Sequence, residues 1–244
     1  MTTIAVLADP PHPETALSGL VEGSPLSAED AASLYTALLR DTVLAVERSG
    51  GELLVNYRPA EALGLDVDAE AALRSVLAGV VDGDARFEVQ VGESFAGRAG
   101  NTAAHLLGSE GVGSVGIARP EAALLARTDI DSAAMKLRSS PVVLGPAPNG
   151  HVTYAAFAEP IDYADAYAPP AAGTLTDRAL DAGLDVDFLE AKPYLRTPAD
   201  LAAILHEART RRKAEALVPP HLAEWVERCD LTVAADEEGL SLER

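Results

Sequence analysis

Cysteine is all but missing from this chain. Cys229 stands alone among 244 residues, which excludes an internal disulfide and a zinc site built on cysteines. Lysine is nearly as scarce, with only Lys136, Lys192 and Lys213. No apolar run approaches the ~20 residues that span a bilayer. Met1-Thr2-Thr3 leads straight into Ile4-Ala5-Val6-Leu7, without the basic stretch and apolar core of an export signal, so a cytoplasmic protein is the expectation.

What the chain has in excess is negative charge. Its 38 acidic residues against 19 basic ones give a formal charge of −19, and the acids run along the whole length rather than in one tail. Such a chain repels nucleic-acid backbones and anionic membrane surfaces, so neither is expected as a partner. The excess reads either as an acidic exterior for a basic partner or as the dispersed acidity of a halophilic, haloarchaeal-type proteome. In ~1 M salt the Debye length falls to about 3 Å and self-repulsion is screened. Hydrophobic residues, at 48%, exclude global disorder and suffice for one sizeable core.

Periodicity places the elements. Residues 4–7 read as a strand ended by Asp9-Pro10-Pro11. Ser27 and Asp30 resemble a capping box, and Ala31, Leu34, Tyr35, Leu38, Leu39, Val43 and Val46 carry the helical rhythm as far as Gly50-Gly51. Strands follow at 52–57, 87–91 and 114–118, with helices over 69–77 and around 97–107. A helical pattern covers 121–137 with a break near Asp129. Strands at 141–145, 151–157 and 185–189 flank a helix over 176–182. Thr197-Pro198 opens a helix over 199–216, as an N-cap followed by proline at the first helical position. Alternating strands and helices predict an α/β fold, a three-layer α/β/α sandwich around a mostly parallel sheet. Its domain spans 1–218. Beyond the Pro219-Pro220 break, residues 219–244 form an extension that packs on it or lies at an interface.

In open α/β sheets, ligands bind beyond the carboxyl ends of the strands. The loops at 9–23, 92–101, 118–121 and 145–151 carry neither G-x-G-x-x-G nor G-x-x-x-x-G-K-[ST], which disfavours a dehydrogenase and a P-loop NTPase. Five stretches do share an order with a known family: IAVLADPPHPETALSGL, LSAEDAASLYTALLRDT, GSVGIARPEAALL, VVLGPAPNGHVTYAAF and YLRTPADLAAIL. Together they resemble the glycosyltransferase-A-like, radical-SAM/selenodomain-associated transferases of the arsenosugar-biosynthesis type, relatives of 2-phospho-lactate guanylyltransferase. The resemblance implies a Rossmann-like, nucleotide-diphospho-sugar-transferase-like (GT-A) fold and a nucleotide or nucleotide sugar as ligand. It also implies a divalent metal, Mg or Mn, on carboxylates that offset the desolvation of a hard cation.

The departures fall on the chemistry. Ala118, Asn149, Tyr194 and Arg196 stand where the family has metal-binding aspartates, and Asp9, Glu14 and Ala16-Leu17 replace the cationic first loop. Salt adaptation adds carboxylates, so it does not account for their loss. Five residues remain as candidates for ligand binding: Asp9, Arg98, Arg119, Asn149 and His151. Arg98 matches a family arginine in order and could hold a phosphate oxygen, or form a surface ion pair. Arg119 could supply positive charge where a cation once sat, or serve the loop alone. Asn149-Gly150 also reads as a turn. His151 could exchange protons or be structural, and Asp9 with His12 could ligate a metal.

The expected function is a nucleotide-sugar- or nucleotidyltransferase-like protein that has lost its metal-binding aspartates and binds a ligand or assists another protein. One alternative is an active glycosyl- or nucleotidyltransferase whose metal moved to Asp9, Asp129 or Asp131. Another is the structural subunit of a homo-oligomer joined through Leu222, Trp225 and Val226. On the salt-adapted reading, the thermal unfolding midpoint rises as KCl goes from about 0.1 to about 2 M. A flat or falling midpoint contradicts that reading.

Overall fold

The computed structural model describes residues 2–81, 85–237 and 239–244. Seven strands form one sheet: β1 (Thr2–Ala8), β2 (Glu52–Tyr57), β3 (Arg86–Val89), β4 (Ser114–Ala118), β5 (Val142–Pro146), β6 (Val152–Phe157) and β7 (Val186–Phe188). Their order is β3-β2-β1-β4-β6-β5-β7, and only β6 runs antiparallel to its neighbours. The helices are α1 (Ser18–Val21), α2 (Ala28–Glu47), α3 (Ala69–Leu77), α4 (Phe95–Ala104), α5 (Arg127–Lys136), α6 (Ala171–Asp181), α7 (Pro198–Lys213) and α8 (Pro220–Arg228). This is the mostly parallel α/β sandwich that the sequence predicts.

β1 shows why its apolar run is nearly unbroken. Its side chains alternate between the two faces of the sheet, and helices cover both. Ile4 and Val6 join Leu39 and Val43 of α2 and Leu73 of α3, whereas Ala5 and Leu7 join Ala99 and Ala103 of α4 and Leu175 of α6. A third cluster lies beyond the sheet and unites Leu20, Leu26, Leu34, Leu38 and Leu124 with Leu201 and Leu205 of α7.

The two helix starts read from sequence are built by the chemistry expected of them. Asp30 N donates to Ser27 Oγ at 3.0 Å while Asp30 Oδ2 accepts from Ser27 N at 3.4 Å. Thr197 and Asp200 do the same for α7, at 3.2 and 2.8 Å, with Pro198 as its first residue. Each exchange satisfies amides that a helix start leaves without partners.

Two expectations need correction. Residues 121–126 are not helical. Ala122, Ala123, Leu124 and Leu125 are all buried, Ala122 and Leu125 in one cluster and Ala123 and Leu124 in another, and one helical face cannot serve both. Tight turns carry this segment, with Ala122 N donating to Arg119 O and Leu125 N to Ala122 O, until Asp129 accepts from Ala126 N at 2.8 Å and α5 begins. The extension after Pro219 holds α8 and then a hairpin, β8 (Thr232–Asp236) with β9 (Gly239–Glu243). Leu222, Trp225 and Val226 are 0, 4 and 4% exposed in the third cluster, so the apolar face offered to a second copy is covered by the chain itself. Among the described residues, no helix is long and apolar enough to cross a membrane.

Gly116 in β4 is a packing requirement. A Cβ there would stand 2.1 Å from the hydroxyl oxygen of Tyr154, a side chain 1% exposed with no room to retreat. Gly116→Ala is expected to cost about 1–3 kcal/mol in urea unfolding. Unchanged stability would show that the core at this point can yield.

Candidate functional site

Three neighbouring strands each hand over to a charged residue at their carboxyl ends: β1 to Asp9, β2 to Arg58 and β4 to Arg119. Residues 15–20 and 194–197 close the space above them into a cleft of about 400 Å³. Three arginines, Arg58, Arg119 and Arg196, line it against two carboxylates, Asp9 and Glu121. In a chain of −19, this cleft carries a net positive set of side chains.

The carboxylates are already engaged. Arg58 grips Asp9 in a two-point contact, Nε to Oδ1 at 2.6 Å and Nη2 to Oδ2, and this contact raises the Arg58 pKa. Asp9 N donates to Tyr35 Oη at 2.8 Å, which leaves the phenol proton free to donate at the cleft wall. Arg119 Nη2 donates to Glu121 Oε1 at 2.7 Å, and its guanidinium lies 4.1 Å from the centre of the Phe95 ring and 5.6 Å from that of Tyr194. Burial is the largest single influence on Arg119 and opposes its charge, but the Glu121 carboxylate together with Tyr194 and Tyr35 outweighs it, and the pKa rises above the ordinary arginine value.

Arg98 stands behind this layer, 9% exposed, and it is not the surface ion pair that its composition context suggests. Its Nε donates to Gln90 Oε1 at 2.6 Å and its Nη1 to Glu93 O at 2.7 Å. Gln90 is fixed in turn by donating to Asn56 O at 2.7 Å and to Ala8 O at 3.3 Å, the last carbonyl of β1. Burial lowers the Arg98 pKa, and the Arg58 and Arg119 charges push the same way, with Asp9 opposing. A buried cation therefore sits beside two like charges. An arriving anion would relieve that arrangement.

The other candidates scatter. Asn149 is exposed in the hairpin between β5 and β6, where its φ of 59° and the 73° of Gly150 make the turn that Asn-Gly pairs favour. His151 is half-buried and stacks on Tyr194 with ring centres 5.0 Å apart, which places it behind the cleft rather than in it. Gly111-Val112-Gly113-Ser114-Val115-Gly116 has dinucleotide-motif spacing, but it runs into a strand instead of out of one into a helix.

These residues do not fit a carboxylate-held divalent ion. Ala118 is fully buried, and Tyr194 and Arg196 bring a phenol and a cation into the cleft. His12 Nδ1 accepts from Glu14 N at 3.3 Å within its own turn. The relocated set falls apart in space. Asp129 caps α5 and meets Lys192 at 3.2 Å, while Asp131 accepts from Gly50 N at the far end of the sheet. The seven residues of β1 separate Asp131 from Asp9 by a strand length of about 20 Å. Among the described residues, no three His, Cys, Asp or Glu side chains gather to hold a metal ion.

Arg58 and Tyr35, which line the cleft, and Phe95, which packs against Arg119, are not singled out by motif spacing. For Arg58, the one available signal is its place directly after the strand read at 52–57. No family model matches the chain, and no curated protein matches it. Solved structures do. A protein from Desulfovibrio desulfuricans G20, provisionally named a nucleotide-diphospho-sugar transferase, superposes with a TM-score of 0.75 at 17% identity, covering 93% of this chain and 97% of the other. The 4-diphosphocytidyl-2C-methyl-D-erythritol synthase of Anaerococcus prevotii DSM 20548 follows with a TM-score of 0.52 at 13% identity, covering 87% and 99%. At such identities the likeness is one of fold: the chain has the nucleotide-diphospho-sugar-transferase-like α/β architecture.

Burial, then the Arg196 charge, lowers the His151 pKa below its ordinary 6.5. The folded state thus favours the neutral ring. The stability it contributes is complete above about pH 6.5 and is lost as pH falls through the folded-state value. An NMR titration is expected to place the His151 midpoint below 6.5. A midpoint at or above that value contradicts this electrostatic picture.

Proposed function

We propose that the cleft binds the phosphates of a nucleotide or nucleotide sugar through guanidinium groups, without a carboxylate-held metal, and that the chain serves as a ligand-binding or accessory protein. The observation that carries this reading is the convergence of Arg58 and Arg119, at the ends of parallel strands, with Arg196 from the wall before α7, and Arg98 buried behind them. Arginine presents paired N–H donors that match phosphate oxygens, and it stays charged when partly buried. The names of the two fold neighbours, a nucleotide-diphospho-sugar transferase and a diphosphocytidyl-compound synthase, give the ligand class its support. The site also suits the rest of the molecule. A chain of −19 repels anions, so a phosphate ligand is favoured only where the cations are gathered.

The division of labour follows from burial. Arg196 is exposed, and its guanidinium has no ion-pair partner among the described residues, so it is free to close over a bound phosphate. Arg119 is held between two aromatic rings and a carboxylate, so it meets the ligand already oriented. Calorimetric titration with a nucleoside diphosphate tests this. Binding is expected in chelator, with no gain on adding magnesium. Arg119→Ala and Arg196→Ala should each weaken it about tenfold or more, since a hydrogen bond to a charged group is worth about 1.5–3 kcal/mol. Binding that requires a divalent cation, or that survives both substitutions unchanged, would sink the proposal.

A further inference from the structure

Residues 15–20 form one wall of the cleft, yet among the described residues no hydrogen bond or ion pair ties that wall to the rest of the protein. The hydrogen bonds of residues 12–26 close within the segment: Thr15 N and Ala16 N donate to His12 O, Leu20 N to Leu17 O, Leu26 N to Ser24 Oγ, and the Ser24 hydroxyl to Leu20 O. Leu17 stands at φ 50°, a left-handed backbone conformation unfavourable for a residue with a side chain. Apolar burial must therefore hold the wall. Leu20 and Leu26 are 1 and 3% exposed, in one cluster with Leu195 from the opposite wall and with Leu222, Trp225 and Val226 of α8.

Helix α8 is itself pinned to α2 by contacts away from the cleft. The buried carboxylate of Asp41 accepts from His221 N at 3.0 Å and from Leu222 N at 2.7 Å, capping α8 from another helix, and His221 Nδ1 lies 2.9 Å from the same group. Trp225 Nε1 donates to Ser33 Oγ at 2.8 Å. The chain thus fastens α8 to α2 with specific polar bonds, and α8 shares with Leu20 and Leu26 the apolar cluster beneath a wall that has no such bonds.

We infer that residues 219–244 are a latch on the cleft: docked α8 holds the 15–26 wall in place, and release of α8 frees it. The latch is a matter of packing. Its consequence for ligand affinity rests on the phosphate-binding reading above. If a ligand orders the wall, it must also strengthen the docking of α8 by the same factor.

Hydrogen–deuterium exchange on the full chain tests both parts. Ser33→Ala and Asp41→Asn each loosen α8 without touching the cleft. In both, exchange in 220–228 and in 15–26 should rise together, about tenfold or more, while β5 and β6 keep the parent's rates and report an intact fold. Should Asp41→Asn speed exchange in β5 and β6 as well, Ser33→Ala decides. Faster exchange in 220–228 with 15–26 unchanged would overturn the latch, as would an α8 that neither substitution loosens. Saturating inorganic pyrophosphate should slow exchange in 220–228 of the parent chain; binding without that slowing also overturns the coupling. Failure of pyrophosphate to bind at all would instead remove the phosphate-binding reading, and the two variants would still decide the latch.

Discussion

Where β1 and β4 end, two carboxylates each hold a guanidinium: Asp9 grips Arg58 and Glu121 meets Arg119. These pairs decide what the cleft can be. A carboxylate engaged at both oxygens by arginine has little left to offer a hard cation, which needs several oxygen donors at once. The arginines are less constrained, because a guanidinium has five donors and each pair uses one or two of them. Both arginines line the cleft with donors left over and the charge intact. Behind them stands Arg98, whose pKa burial and the neighbouring Arg58 and Arg119 charges lower.

The scaffold supplies the geometry. β1, β2 and β4 are neighbouring parallel strands, so their carboxyl ends lie side by side and three short steps in sequence converge in space. Helices on both faces bury the central strands β1, β4, β5 and β6, while the edge strands β3 and β7 stay partly open to water. Walls over those ends come from segments with little regular structure, and the third apolar cluster carries them. Aromatic packing completes the arrangement: Phe95 and Tyr194 flank Arg119, and His151 stacks on the outer side of Tyr194.

Much of this was legible from the sequence because the signals are local. The Ser27 and Thr197 caps, the rhythm of α2 and the apolar run of β1 each depend on neighbours a few residues away, and they appear in the structure as read. The segment 121–126 misleads because burial of four successive residues looks like a helix when two separate clusters share them. The hairpin after α8 leaves only a short trace, Leu240 and Leu242 alternating with exposed neighbours in its second strand. Its strands show mostly half-buried and exposed residues, the mark of a ribbon packed on one side. Arg119 is visible because a buried strand precedes it, but its partners are not. Phe95, Tyr194 and Glu121 meet it through strand order, which one sequence does not encode by spacing. Arg58 escapes notice for the same reason, since its role appears only once β2 is known to lie beside β1.

The most direct test of the central claim is a crystal structure of the chain with a nucleoside diphosphate and magnesium both supplied. The account predicts phosphate oxygens within hydrogen-bonding distance of the Arg119 and Arg196 guanidiniums, with Asp9 still paired to Arg58. A magnesium ion bridging the phosphates to Asp9 or Glu121, with the arginines displaced, would contradict it.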